Sequence, residues 1–213
     1  MSLSKVGVRA VLELAPVIPV IVIDDVRHAA PLARALVAGG LRVLEVTLRT
    51  PAALEAIAAM RAAVPEAIVG AGTVLNEAQL QAAVRAGSQF IVSPGFSRSL
   101  CLAGAALGVP LLPGVITATE VMAALEVGLD TLKFFPAARS GGAALLKDFA
   151  SVFPQVRFCP TGGIDHRTAP DYLALPNVLC VGMSSVATAE AIRSGDFVGI
   201  TARAREAMLL RRG

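Results

Sequence analysis

The chain has 213 residues, 55% of them hydrophobic, 16% charged and 4% aromatic, with 19 Lys and Arg against 16 Asp and Glu for a formal net charge of +3. So apolar and weakly charged a chain must bury a core rather than remain disordered, and basic residues this scattered, apart from Arg211 and Arg212, give no footprint for nucleic acid. The length suits one domain over residues 1–213, because single α/β barrels run from roughly 200 residues upward.

An amphipathic segment from Ser4 to Leu14 opens the chain. No continuous apolar stretch follows a basic start, so no secretory pattern is present and a cytoplasmic location is expected. Short β-rich runs then begin near Val17, Leu41, Ala67, Gln89, Pro110, Thr131, Val156 and Val178, each followed by an Ala-rich stretch with helical periodicity. The expected helices include Val26 to Ala38, Pro51 to Ala63, Glu77 to Ala86, Ser99 to Leu107, Ala118 to Val127 and Asp196 to Leu210, with Pro51 in a first turn. The uncharged stretch from Ser99 to Thr119 is long enough to cross a bilayer, but Gly104, Gly108, Pro110, Pro113 and Gly114 divide it into helix, turn, short strand and loop. The stretch from Tyr172 to Ala189 divides at Pro176-Asn177. No membrane association is expected.

Alternating strands and helices with nearly continuous apolar strands predict an α/β fold with a helix-covered parallel sheet. An open doubly wound sheet would begin with a glycine-rich dinucleotide turn, whereas the first strand here leads into Ile23-Asp24-Asp25. Eight strand-helix units instead predict a single (β/α)8 TIM barrel, with the N-terminal helix covering its floor and the chemistry at the C-terminal strand ends.

Charge inside those strands is the next signal. Of the lysines Lys5, Lys133 and Lys147, only Lys133 falls within an apolar strand, Thr131-Leu132-Lys133-Phe134-Phe135. Loss of hydration there favours the neutral amine that attacks carbonyls, although a lysine at a strand end with its ammonium in solvent fits the same pattern. If Lys133 points inward, Thr131 and Phe135 do too, and Leu132 and Phe134 face the helices. The second strand puts Val43, Glu45, Thr47 and Arg49 on one face and Leu44, Val46 and Leu48 on the other. A buried Glu45 is a candidate general acid/base, and Arg49, further out, a candidate clamp for a carboxylate. A purely structural Glu45–Lys133 or Glu45–Arg49 pair is the alternative.

The remaining strand ends are rich in small residues. Gly70-Ala71-Gly72-Thr73 offers room for a ligand to approach the backbone, and Ser93-Pro94-Gly95 closes the fourth strand. Thr161-Gly162-Gly163 and Gly182-Met183-Ser184-Ser185 follow the seventh and eighth, where such barrels usually cradle phosphate, although glycines at tight turns are also expected on steric grounds. His28 and His166 stand alone, and Cys101, Cys159 and Cys180 lack metal-type spacing and read as reduced core thiols. No metal and no cofactor are expected.

Longer blocks carry a family resemblance: Pro16-Val17-Ile18-Pro19-Val20-Ile21-Val22, Leu36-Val37-Ala38-Gly39-Gly40, Val43 to Thr50, Ile68 to Asn76, Lys133-Phe134-Phe135-Pro136-Ala137 and Val156 to Ile164. With these the chain resembles the class I 2-keto-3-deoxy-6-phosphogluconate (KDPG) aldolases, including those that cleave 4-hydroxy-2-oxoglutarate (KHG). The resemblance implies that Lys133 forms a Schiff base and that Glu45 transfers protons. It implies that Arg49 and Thr73 bind the pyruvate carboxylate, Pro94 and Phe135 line the pyruvate pocket, and Thr161, Gly162, Gly163 and Ser184 lie at the phosphate end. The implied reaction is reversible cleavage of the keto-acid phosphate KDPG to pyruvate and glyceraldehyde 3-phosphate by a homotrimeric lyase. Alternatives are action on KHG or on the galactonate epimer of KDPG, or a non-catalytic phosphosugar-binding barrel. One departure stands out: familiar members read Gly-Gly-Ser-Trp where this chain has Gly182-Met183-Ser184-Ser185.

Overall fold

Short apolar runs rich in Val and Ile pair as strands because alternate side chains can then be buried on both faces. In the computed structural model, which describes residues 7–210, they form β1 (Val17–Ile21), β2 (Val43–Thr47), β3 (Ile68–Gly72), β4 (Ile91–Val92), β5 (Leu111–Leu112), β6 (Gly114–Val115), β7 (Thr131–Phe134), β8 (Arg157–Pro160) and β9 (Val181–Met183). The helices are α1 (Val8–Leu12), α2 (Ala29–Ala38), α3 (Ala53–Ala63), α4 (Glu77–Arg85), α5 (Arg98–Ala106), α6 (Ala118–Glu126), α7 (Gly142–Val152), α8 (Ala169–Leu173), α9 (Ala189–Ser194) and α10 (Phe197–Met208). Ser4, Lys5, Arg211 and Arg212 lie outside the described residues.

All strand pairs are parallel, and they form a six-stranded sheet in the order β5-β4-β3-β2-β1-β9 and a three-stranded sheet β6-β7-β8. The division falls at Pro113, which separates β5 from β6 and has no N–H to donate. Its carbonyl still accepts from the Lys133 N–H at 2.8 Å. β8 and β9 meet through two isolated bridges, Phe158 to Val178 and Thr161 to Gly182.

Several boundaries differ from the sequence reading for local reasons. The helix expected over 26–38 starts as a 3-10 turn, Val26–His28, because the Asp25 carboxylate accepts from the Arg27 N–H, and α2 follows. Pro51 lies in the turn before α3 rather than in its first turn. Asp196 caps α10 by accepting from the Gly199 N–H. The last strand begins at Val181 rather than near Val178, which makes only its single bridge to Phe158.

Alternation sorts the strand side chains into two buried groups. Leu44, Val46, Val69, Ala71, Leu132, Phe134, Val181 and Met183 join the helices in the larger core cluster. Ile18, Val43, Phe90, Val92, Leu112, Cys159 and Cys180 form an inner cluster, closed by Val8, Val11 and Leu12 of α1. Cys101, Cys159 and Cys180 are buried, and the Cys180 thiol donates to Cys159 Sγ at 3.5 Å. No helix among the described residues is long and apolar enough to cross a membrane.

Candidate active site

Register decides which side chains share a level of the interior. Val20, Glu45 and Gly70 are partners across β1, β2 and β3, and Gly114, Lys133 and Cys159 are partners across β6, β7 and β8. From these two sheets Glu45 and Lys133 meet, with Lys133 Nζ donating to Glu45 Oε1 at 3.2 Å. Their residues are 3% and 6% exposed, so the reading of a lysine with its ammonium in solvent does not apply. Of the two pairings open to Glu45, the structure forms the one with Lys133. Burying such a pair is costly unless each charge is well compensated. Lys133 Nζ also lies 5.2 Å from the centre of the Phe135 ring, whose face attracts a cation.

Three of the strand-end glycines also accommodate neighbouring side chains. A Cβ on Gly72 would collide with the Glu45 carboxylate, one on Gly70 with the Phe90 ring, and one on Gly182 with Thr161 Oγ1. At these positions the missing Cβ makes room for a neighbouring side chain. Thr47, on the Glu45 face, is engaged structurally, since its hydroxyl donates to the Ile21 carbonyl at 2.8 Å.

A cavity of about 240 Å³, which meets the pair through Phe135 and Val20 rather than being lined by Lys133 or Glu45, is lined by Arg49, Phe135, Thr161, Gly162, Gly163 and Ser184 together with Val20, Ile164 and Gly182. The first six are residues the sequence singled out for substrate. Val20 and Ile164 are apolar and carry no chemical signal that a sequence reading could have used, whereas Gly182 opens the strand-end motif that ends at Ser185. Gly162 and Gly163 have φ of 101° and 75°, a region that favours glycine and keeps the loop backbone against the Phe135–Ala138 segment. Just beyond, the Thr168 N–H, opposed by burial and aided by the side chain and N–H of Arg167, holds the Asp165 carboxyl at about 2 and ties the loop down.

Thr73 and Pro94 are not among the lining residues. Thr73 follows β3 with φ 59°, left-handed for a residue with a branched side chain, and the Pro94 carbonyl packs against Gly114, where no Cβ would fit. The two departures at the end of β9 also lie off the cavity. Met183 is buried in the outer core, and Ser185 lines a separate cavity of about 160 Å³ with Arg203 and His166. His28 packs edge-on to Phe197, and no group of three or more His, Cys, Asp and Glu positioned for a metal occurs among the described residues.

Chemically the site offers a buried amine, a carboxylate in hydrogen-bonding reach of it, a guanidinium at a cavity rim and a glycine-rich loop. Residues 8–203 match the family model for KDPG and KHG aldolase. The KHG/KDPG aldolase of Escherichia coli strain K12 is 51% identical over 204 residues, covering 96% of each chain. Among solved structures, the 2-keto-3-deoxy-6-phosphogluconate aldolase of Zymomonas mobilis ZM4 with 3-phosphoglycerate superposes with a TM-score of 0.91 at 55% identity, over 96% of each chain. The KDPG aldolase of Legionella pneumophila, with pyruvate captured at low pH as a covalent carbinolamine intermediate, gives a TM-score of 0.94 at 46% identity over 96% of this chain and 99% of that one.

Proposed function

Because this chain belongs to the KDPG and KHG aldolase family, we propose that it is a Schiff-base, metal-independent carbon–carbon lyase that reversibly cleaves KDPG to pyruvate and glyceraldehyde 3-phosphate. The observation that carries the proposal is the buried Lys133–Glu45 contact at 3.2 Å beside a cavity large enough for a small keto acid.

The Lys133 ammonium first gives up a proton, and Glu45 is the group in reach to receive it. The neutral amine attacks the C2 ketone to form a carbinolamine, whose hydroxyl takes the proton back from Glu45 and leaves as water, giving a protonated imine and a free Glu45 carboxylate. Glu45, directly or through a water, then takes the C4 hydroxyl proton. The C3–C4 bond breaks, and its electron pair moves into the imine to leave an enamine. Glu45 returns the proton to C3, and hydrolysis frees Lys133 and pyruvate. Arg49 and Thr73 hold the carboxylate, with Pro94 and Phe135 around the pyruvate. Thr161, Gly162, Gly163 and Ser184 receive the phosphate through backbone N–H groups and hydroxyls.

The displacement of Met183 and Ser185 from the cavity favours the phosphorylated substrate, because neither residue intrudes on the loops assigned to phosphate. The same reading treats residues 1–213 as one domain and the two sheets as one closed (β/α)8 barrel. On it, β5 and β6 are a fifth strand interrupted at Pro113, and α1 covers the floor. It also takes the protein to work in the cytoplasm as a homotrimer, which sedimentation of the purified chain checks. The deciding assay measures pyruvate released from KDPG, its galactonate epimer and KHG. The highest kcat/KM should fall on KDPG. A higher value on KHG would move the assignment to the unphosphorylated keto acid, and no pyruvate from any of the three would leave a binding barrel.

A further inference from the structure

Strand β3 carries two glycines on its inner face, Gly70 and Gly72, and neither has the positive φ that calls for glycine on backbone grounds. What each lacks is a Cβ, and the space left empty differs in kind. At Gly70 a Cβ would stand 2.5 to 2.6 Å from atoms of the Phe90 ring, a packing collision in the apolar inner cluster. At Gly72 it would overlap Glu45 Oε1 and stand 2.8 Å from both Cδ and Cγ of the same side chain. Resting on the aldolase reading of Glu45, we propose that Gly72 is a positioning residue for catalysis: its missing Cβ is the seat from which the Glu45 carboxylate reaches Lys133.

Glu45 has no second way to reach that point. Rotating the carboxylate alone leaves Cγ in collision, so the whole side chain would have to change rotamer. Toward the floor the space beside Gly70 is filled by Phe90, which is fully buried. In register Glu45 lies opposite Gly70 while Thr47 lies opposite Gly72. The Glu45 side chain therefore leans one inward pair toward the mouth, across the bare backbone of Gly72. A methyl group there displaces the carboxylate from the amine by about the distance at which catalytic geometry is lost.

The test is a double-mutant cycle of Gly72→Ala and Glu45→Asp, with Gly70→Ala as the packing control. Gly72→Ala should still let borohydride trap pyruvate on Lys133 while aldol turnover and exchange of the pyruvate methyl protons fall by about 100-fold. Glu45→Asp withdraws the carboxylate from the added methyl, so it should cost much less in the Gly72→Ala background than in the parent. In the Gly70→Ala background it should cost what it does in the parent. The same cycle read by thermal melting needs no substrate: Glu45→Asp should recover part of the melting temperature lost through Gly72→Ala. Should Gly72→Ala fail to fold, the double variant should fold. Undiminished proton exchange in Gly72→Ala, equal cost of Glu45→Asp in both backgrounds, or a double variant that folds no better would overturn the proposal. Failure of the parent protein to trap pyruvate would instead remove the aldolase reading and leave the melting cycle to decide whether Gly72 seats Glu45.

Discussion

Two residues of chain separate an apolar floor from a polar mouth on β2, where Val43 precedes Glu45. Both levels belong to the same inward face and both are buried, yet they are compensated differently. The floor has no charge to satisfy. Phe90, Ile18 and Val43 pack under α1, and burial of side chains of this size contributes about 1.5–3 kcal/mol each. At the mouth, Glu45 and Lys133 lose hydration and regain part of it in each other and at the Phe135 ring, so their value lies in reactivity rather than stability. One face can thus hold a rigid base and a costly reactive pair when a single strand repeat separates them.

The contrast is open to direct attack. Glu45→Gln should lower turnover by about 10² to 10⁴ while borohydride trapping of pyruvate persists, because the amide keeps the shape but cannot accept the proton. Steady-state kinetics beside mass spectrometry reads both effects, and near-normal turnover would remove Glu45 from the mechanism. Phe90→Ala should do the reverse, costing about 3–5 kcal/mol in denaturant unfolding while turnover per folded molecule stays near the parent value. A comparable loss of kcat in that variant would show that floor and mouth are not separable.

Smaller effects sharpen the boundary. Ser184→Ala should reduce kcat/KM for KDPG between a few-fold and somewhat over a hundredfold, about 0.5 to 3 kcal/mol, with KHG turnover and pyruvate trapping unchanged. Inorganic phosphate should inhibit the variant less well than the parent. Far from the site, α6 is capped by Thr117 and Glu120 in reciprocal hydrogen bonds. Thr117→Ala should cost about 1 kcal/mol in thermal or urea unfolding with no change in activity. Burial works against the ionised Glu120, but the N–H groups of Thr117 and Ile116 and the Thr117 hydroxyl outweigh it and hold its carboxyl below the ordinary value. Its stabilisation is therefore fully present above the unfolded carboxylate value and is lost as pH falls through the lower folded one. Urea titrations across acidic pH in the parent and Glu120→Gln should converge as the pH falls.

The strand-helix alternation and the inward parity of Glu45 and Lys133 were legible because period-two patterning carries both. The interruption at Pro113 was visible only as a breaker in an uncharged stretch, since which sheet each half would join depends on register with β4 and β7. The seating of Glu45 at Gly72 was not legible because the side chain that fills the space comes from the neighbouring strand, and no local pattern records how strands are staggered. Val20 and Ile164 were missed at the cavity because they look like any other core residue.

The most direct measurement reduces the parent protein with borohydride in the presence of pyruvate and maps the added mass by peptide sequencing. The expected result is a single pyruvyl adduct on Lys133, lost in Lys133→Ala, with Lys5 and Lys147 unmodified. Mass on Lys147, or no adduct in a folded protein, would contradict it.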